Sequence, residues 1–124
     1  MSNCIHIKNN VLVLSDADVD REGFKTLVSS VVGLKCPPEN SVDPKRNYAW
    51  WFLSENVVFE PGRVTIHVGE GRSIHTWRDF KGTLALLAEY VRRPRAHVFE
   101  VADEYDGFRK YERYTVNLQT GERI

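Results

Sequence analysis

Apolar positions along this chain repeat at two periods, and the switches between them mark out the elements. Trp77, Phe80, Leu84, Leu87 and Val91 recur at steps of three and four, which lines them along one stripe of an amphipathic helix. Thr76 stands where a hydroxyl can cap the first turn, and Asp79 three residues on completes a capping box. Arg92 and Arg93 read as the last turn, where positive charge suits the negative end of the helix dipole, and Pro94 stops the helix. Glu89 lies one turn before Arg93 and is set to pair with it. Gly82 is out of keeping, because glycine costs about 1 kcal/mol against alanine in a helix interior. Something is expected to pack closely against it. Phe24, Leu27, Val28, Val31 and Val32 show the same helical spacing behind a run of carboxylates, with Gly33 after them, so a first helix is predicted from about Val19 to Val32.

A period of two takes over after Pro94. Taking Asp106-Gly107 as a two-residue turn pairs Tyr105 with Phe108, Asp103 with Lys110, Phe99 with Tyr114 and His97 with Val116. The other face then pairs Glu104 with Arg109, Glu100 with Arg113 and Val98 with Thr115. Three opposite-charge pairs share this register, and a one-residue slip would break them. Phe99, Val101, Tyr114, Val116 and Leu118 fall on one face, which is expected to cover the helix stripe.

Earlier in the chain, Cys4 to Ile7 and Val11 to Leu14 are apolar runs split by Lys8-Asn9-Asn10, which reads as a small hairpin. Tyr48 to Leu53 is apolar on both alternating faces and predicts a central or half-covered strand in which Trp50 and Trp51 point opposite ways. Val57 to Glu60 and Arg63 to Val68 flank Pro61-Gly62 as a second hairpin, although Pro-Gly favours a turn whose twist suits a wider loop. Residues 35–46 hold Pro37, Pro38 and Pro44 without periodicity and form a long loop. The order strand, strand, helix, three strands, helix, two strands (ββαβββαββ) predicts one α+β domain over residues 1–124. It has a mostly antiparallel sheet of about five to seven strands and two helices packed on one face.

Composition narrows the function classes. Seventeen basic against seventeen acidic residues give zero formal charge, so no whole-molecule field draws the chain to nucleic acid or an anionic membrane. Cys4 and Cys36 form no C-x-x-C pair and sit beside no metal-like histidine spacing, which fits reduced thiols. No stretch has signal-peptide or membrane-span length, so a cytoplasmic protein is expected. His6, His67, His75 and His97 are scattered and read as satisfied or surface residues, so no metal and no cofactor is expected.

Val11 to Asp18, an apolar strand running into Asp16-x-Asp18, resembles the opening of haloacid-dehalogenase-type phosphatases. That resemblance implies Asp16 as the nucleophile and Asp18 as acid and base, in a parallel βαβ framework with a later Lys and a further acidic pair. The competing reading is that Asp16 and Asp18 cap the first helix. An EF-hand loop is excluded, since Arg21 stands where glycine is required and Leu27 where the bidentate Glu belongs. Gly69-x-Gly71 ahead of a helix lacks the third glycine of a dinucleotide fingerprint and the Gly-Lys-Ser/Thr of a P-loop, and reads as a connection.

Arg92, Arg93 and Arg95 cluster after the helix, with Arg109, Lys110 and Arg113 on the hairpin and Tyr111 and Trp51 as stacking surfaces. Such a set serves single-stranded nucleic acid, and equally a protein interface, where aromatics and arginine are the preferred anchors. With no active-site signature present, the expected function is a small protein-binding module of adaptor, inhibitor or immunity type, not an enzyme. Its contact residues are expected at Trp51, Tyr111, Arg109 and Arg113, with Arg92 and Arg95 at the rim. Weak single-stranded nucleic-acid binding and Mg-dependent phosphatase-like chemistry at Asp16 and Asp18 are the alternatives. The partner is unknown, and a homo-oligomer is compatible with the sequence.

Overall fold

A computed structural model describes residues 4–31, 48–49, 57–69 and 74–124. The elements complete within the described residues are eight strands and two helices: β1 (Cys4–Ile7), β2 (Asn10–Ser15), α1 (Arg21–Ser29), β3 (Val57–Glu60), β4 (Arg63–Val68), β5 (Ile74–Thr76), α2 (Trp77–Ala88), β6 (Ala96–Asp103), β7 (Tyr111–Asn117) and β8 (Glu122–Arg123). A 3-10 turn at Glu104–Asp106 joins β6 to β7. The fold is α+β with every strand pair antiparallel, and the strands divide between a five-stranded sheet, β5-β1-β6-β7-β8, and a three-stranded sheet, β2-β4-β3. The predicted loop at 35–46, Cys36, Gly33, Gly71 and residues 50–53 of the expected strand lie outside the described residues. Tyr48 and Ala49, the first two residues of that expected strand, are helical.

The predicted hairpin of the first two apolar runs does not form. β1 pairs with β5 and β6, whereas β2 pairs with β4. Cys4 lies opposite Thr76 of β5 and Asn10 opposite Val68 of β4, so β1 and β2 pair with different antiparallel neighbours in the two sheets. Lys8-Asn9 is therefore a bend, and it switches the inward parity from Ile5 and Ile7 to Leu12 and Leu14, all four buried. Beyond Lys8, whose amide donates to the Glu100 carbonyl at 3.0 Å, the two sheets part. The Pro61-Gly62 hairpin is tight after all: Glu60 lies opposite Arg63, with Gly62 at φ 79°.

Helix α2 starts where its cap residue requires, with the Thr76 hydroxyl accepting from the Asp79 amide at 3.0 Å. Its stripe buries Phe80, Leu84 and Leu87 against Phe99 and Tyr114 of the hairpin, the Phe80 and Phe99 ring centroids standing 5.2 Å apart. Gly82 leaves the gap that the Tyr48 ring fills. The helix ends at Ala88, one turn before the expected stop. Residues 90–92 are pulled out of helical geometry by a short ladder with 18–20: Asp20 N–H to Tyr90 C=O and Arg92 N–H to Asp18 C=O, both 2.7 Å, with Val19 bridged to Val91. Arg92 and Arg93 thus lie beyond the helix and do not serve its dipole. Helix α1 is capped by Asp20, which accepts from the Gly23 amide at 3.2 Å, and not by Asp16 or Asp18. Its Phe24 packs on Phe59 of β3 and on Tyr90, so one cluster of buried side chains joins both helices and both sheets.

Candidate functional site

The β6–β7 register is the one the sequence predicts. Glu100 faces Arg113, Phe99 faces Tyr114 and His97 faces Val116. The ladder stops at Ala102 opposite Tyr111, and the expected two-residue turn is replaced by the 3-10 turn. Gly107 and Phe108 close it with φ of 71° and 60°. For a bulky residue the left-handed conformation costs about 1–2 kcal/mol, so Phe108 is held there against its preference. The Phe108 amide donates to the Asp103 carbonyl at 3.1 Å and the Gly107 amide to the Glu104 carbonyl at 2.9 Å, and these bonds hold the turn.

None of the three predicted cross-strand ion pairs forms. Asp103 accepts from the Trp77 indole and the Tyr105 amide, both at 2.9 Å. Glu104 accepts from the Cys4 amide at 2.8 Å, Asp106 from the Arg109 amide at 3.3 Å, and Glu100 meets Lys8 at 3.6 Å. The magnitudes explain the preference of Asp103 and Glu104, whereas Glu100 exchanges one exposed cation for another. A hydrogen bond to a charged acceptor contributes about 1.5–3 kcal/mol, whereas an exposed ion pair contributes about 0–1 kcal/mol. The Trp77 indole is also the leading reason that the Asp103 carboxyl lies below its usual range, with the Tyr105 amide adding to it. Among the described residues, Arg109, Lys110 and Arg113 are left without an ion-pair partner.

Around these cations the hairpin end gathers rings. Tyr105 is 90% exposed and Tyr111 39%. The Tyr111 hydroxyl bonds His6 Nδ1 of β1, Lys8 Nζ stands 5.7 Å from the Tyr111 ring centre, and Phe108 meets the His6 ring edge-on at 6.5 Å. Tyr111, Arg109 and Arg113 are near one another in sequence at this end of the hairpin, without a hydrogen bond or ring contact between them among the described residues. Tyr105, Phe108, His6 and Lys8 join them unforeseen, since reading Asp106-Gly107 as the turn made Tyr105 and Phe108 an ordinary cross-strand pair.

Arg92 and Arg95 lie at the opposite end of the hairpin. The eight residues of β6, at roughly 3.3 Å each, put about 25 Å between the two ends. Arg92 approaches Asp20 at 3.5 Å, and Arg95 meets Asp18 at 3.0 Å. Asp18 is buried; its other oxygen takes Arg93, and Ser15 donates to it through its hydroxyl at 3.0 Å. The Arg93 hydrogen bond holds the Asp18 carboxyl below its usual range against the opposing effect of burial. Asp18 is therefore a clamp between the end of β2 and the start of β6, and Asp16 lies 3.5 Å from Arg21. β2 is an edge of an antiparallel sheet, not the parallel strand that the phosphatase resemblance implies. Trp51 lies outside the described residues.

His97 bonds Asn10 Oδ1 at 2.9 Å across the parting of the sheets, and burial lowers its pKa. Among the described residues no three His, Cys, Asp or Glu side chains gather as a metal site requires, and no helix is long and apolar enough to cross a membrane. Set beside known proteins, the chain matches no protein-family model, no curated protein and no solved structure.

Proposed function

We propose that the chain is a protein-binding module, acting in the cytoplasm as an adaptor, inhibitor or immunity-type antagonist by occluding a surface of a larger partner. The contact is the β6–β7 hairpin end with the adjoining face of β1. One observation carries this reading: Tyr105, Phe108 and Tyr111 share the hairpin end with Arg109, Lys110 and Arg113, and Asp103, Glu104 and Asp106 beside them are committed to amide and indole N–H groups. Exposed aromatic rings with unpaired arginine are the composition of interface anchors. The strain at Phe108 adds to it, because left-handed bulky residues gather at sites where a side chain must be presented. Arg92 and Arg95, engaged at the far end, stand apart from this surface.

Affinity capture with the tagged chain, with and without nuclease, tests the reading. A stoichiometric, nuclease-resistant partner is expected, lost when Tyr105, Phe108 and Arg113 are together replaced by alanine. Retention of that partner by the triple variant would move the contact elsewhere. Capture that nuclease abolishes would favour the nucleic-acid alternative.

A further inference from the structure

Beside the protein-binding surface, and sharing Lys110 and Arg113 with it, lies a cleft of about 140 Å³ lined also by Trp77, Val101, Asp103, Asp106, Glu112, Tyr114 and Arg123. Val101, Trp77 and Tyr114 are the apolar part of its lining. Val101 is buried, and the Trp77 and Tyr114 rings stand 5.5 Å apart at 47°. The indole N–H is already given to Asp103, so the Trp77 ring offers the cleft only carbon. The rim is charged and balanced, with Lys110, Arg113 and Arg123 against Asp103, Asp106 and Glu112. Arg123 is held in place, its guanidinium 4.8 Å from the Tyr114 ring centre and donating to the Arg113 carbonyl at 3.4 Å. Lys110, Arg113 and Glu112 form no ion pair among the described residues, and so keep hydrogen-bonding capacity of both signs for a ligand.

We propose that this cleft binds a free α-amino acid with an apolar side chain. Size and charge decide the class together. The volume is close to the ~150 Å³ of a cavity that holds benzene, so it admits one amino-acid side chain. It falls short of the ~300 Å³ at which pockets for nucleotide-sized or drug-sized ligands begin. A side chain seated on Val101, Trp77 and Tyr114 leaves its ammonium and carboxylate at the rim, where carboxylates and cations stand side by side. A ligand with one charge only would pair with one set of these largely exposed rim groups and forgo the charge-assisted hydrogen bonds of the other. A polyanion would meet Asp106 and Glu112.

The test is an NMR titration of the full chain with L-phenylalanine and L-leucine to about 10 mM, ten times a Kd of ~1 mM, following the Trp77 indole and the 112–114 amides. Saturable shifts are expected with at least one of the two. Its N-acetyl form, lacking the cation, and its amide, lacking the carboxylate, are expected to bind at least tenfold more weakly. Glu112→Gln and Arg123→Gln should each weaken binding fivefold or more, whereas Tyr105→Ala, at the protein-binding surface and outside the cleft, should leave it unchanged. No saturable shift with either amino acid, or a blocked form binding as tightly as its parent, would overturn the proposal.

Discussion

Gly82 lies midway along α2, and a Cβ built on it would stand 2.2 Å from Cζ and 2.6 Å from the hydroxyl oxygen of Tyr48. Alanine there would gain about 1 kcal/mol of helix propensity, but the ring would have to leave. Full burial of a large apolar side chain contributes about 1.5–3 kcal/mol. Tyr48 is partly buried against the core, so displacing it should lose roughly 2 kcal/mol. The net for Gly82→Ala is a loss of about 1 kcal/mol, or about 3–5 °C in Tm for a chain of this length. In a Tyr48→Ala background the obstacle is gone, and the same substitution should stabilise by about 1 kcal/mol. The sign reversal, a coupling of about 2 kcal/mol, is read from urea midpoints of the four proteins at constant m. If alanine at 82 stabilises equally in both backgrounds, the ring does not depend on the gap and the packing account of this glycine is wrong.

Asp18→Asn should cost about 2–3 kcal/mol at pH 7 in urea unfolding, somewhat under the 3–5 kcal/mol of a fully buried pair because Arg93 can turn to water. Since the folded-state pKa of Asp18 is lowered, its contribution is present above about pH 4 and lost as pH falls through the folded value, so the variant should show a shallower acid-side decline. His97 also has a lowered folded pKa, with the same sign: stability present above about pH 6.5 should fall as pH drops through the folded value, and His97→Gln should remove that slope below about pH 6.5. Phe108→Gly should leave stability unchanged or raise it by up to about 1 kcal/mol by relieving the left-handed strain, while weakening capture of the partner. A loss of more than about 1 kcal/mol would instead make the ring a packing element. Tyr105→Ala, at an almost fully exposed ring, should change the urea midpoint by no more than about 0.5 kcal/mol equivalent.

What the sequence made legible follows from how local the cause is. The Thr76 cap, the α2 stripe and the β6–β7 register rest on residues within one element or one hairpin, and each forms as the spacing requires. The α2 terminus depends on Val19 meeting Val91 across the fold, and the split between β1 and β2 depends on β5 and β6 pairing with one and β4 with the other. Local patterning carries neither fact. The hairpin charges show the limit most clearly. Opposite charges pointed to the alignment that forms, yet only Glu100 and Arg113 face each other in the ladder, which ends before Asp103 and Lys110 and before Glu104 and Arg109. Each carboxylate then had a choice between the predicted cation and another partner, which for Asp103 and Glu104 is a stronger bond and for Glu100 a second exposed cation. Asp103 found the Trp77 indole, Glu104 the Cys4 amide and Glu100 the Lys8 ammonium, from elements distant in sequence. A charge pattern therefore records the alignment of the two strands but not which partner each carboxylate takes. That second allocation leaves Arg109, Lys110 and Arg113 available beside exposed rings, so the pattern that read as scaffold is also the reason the hairpin end can bind.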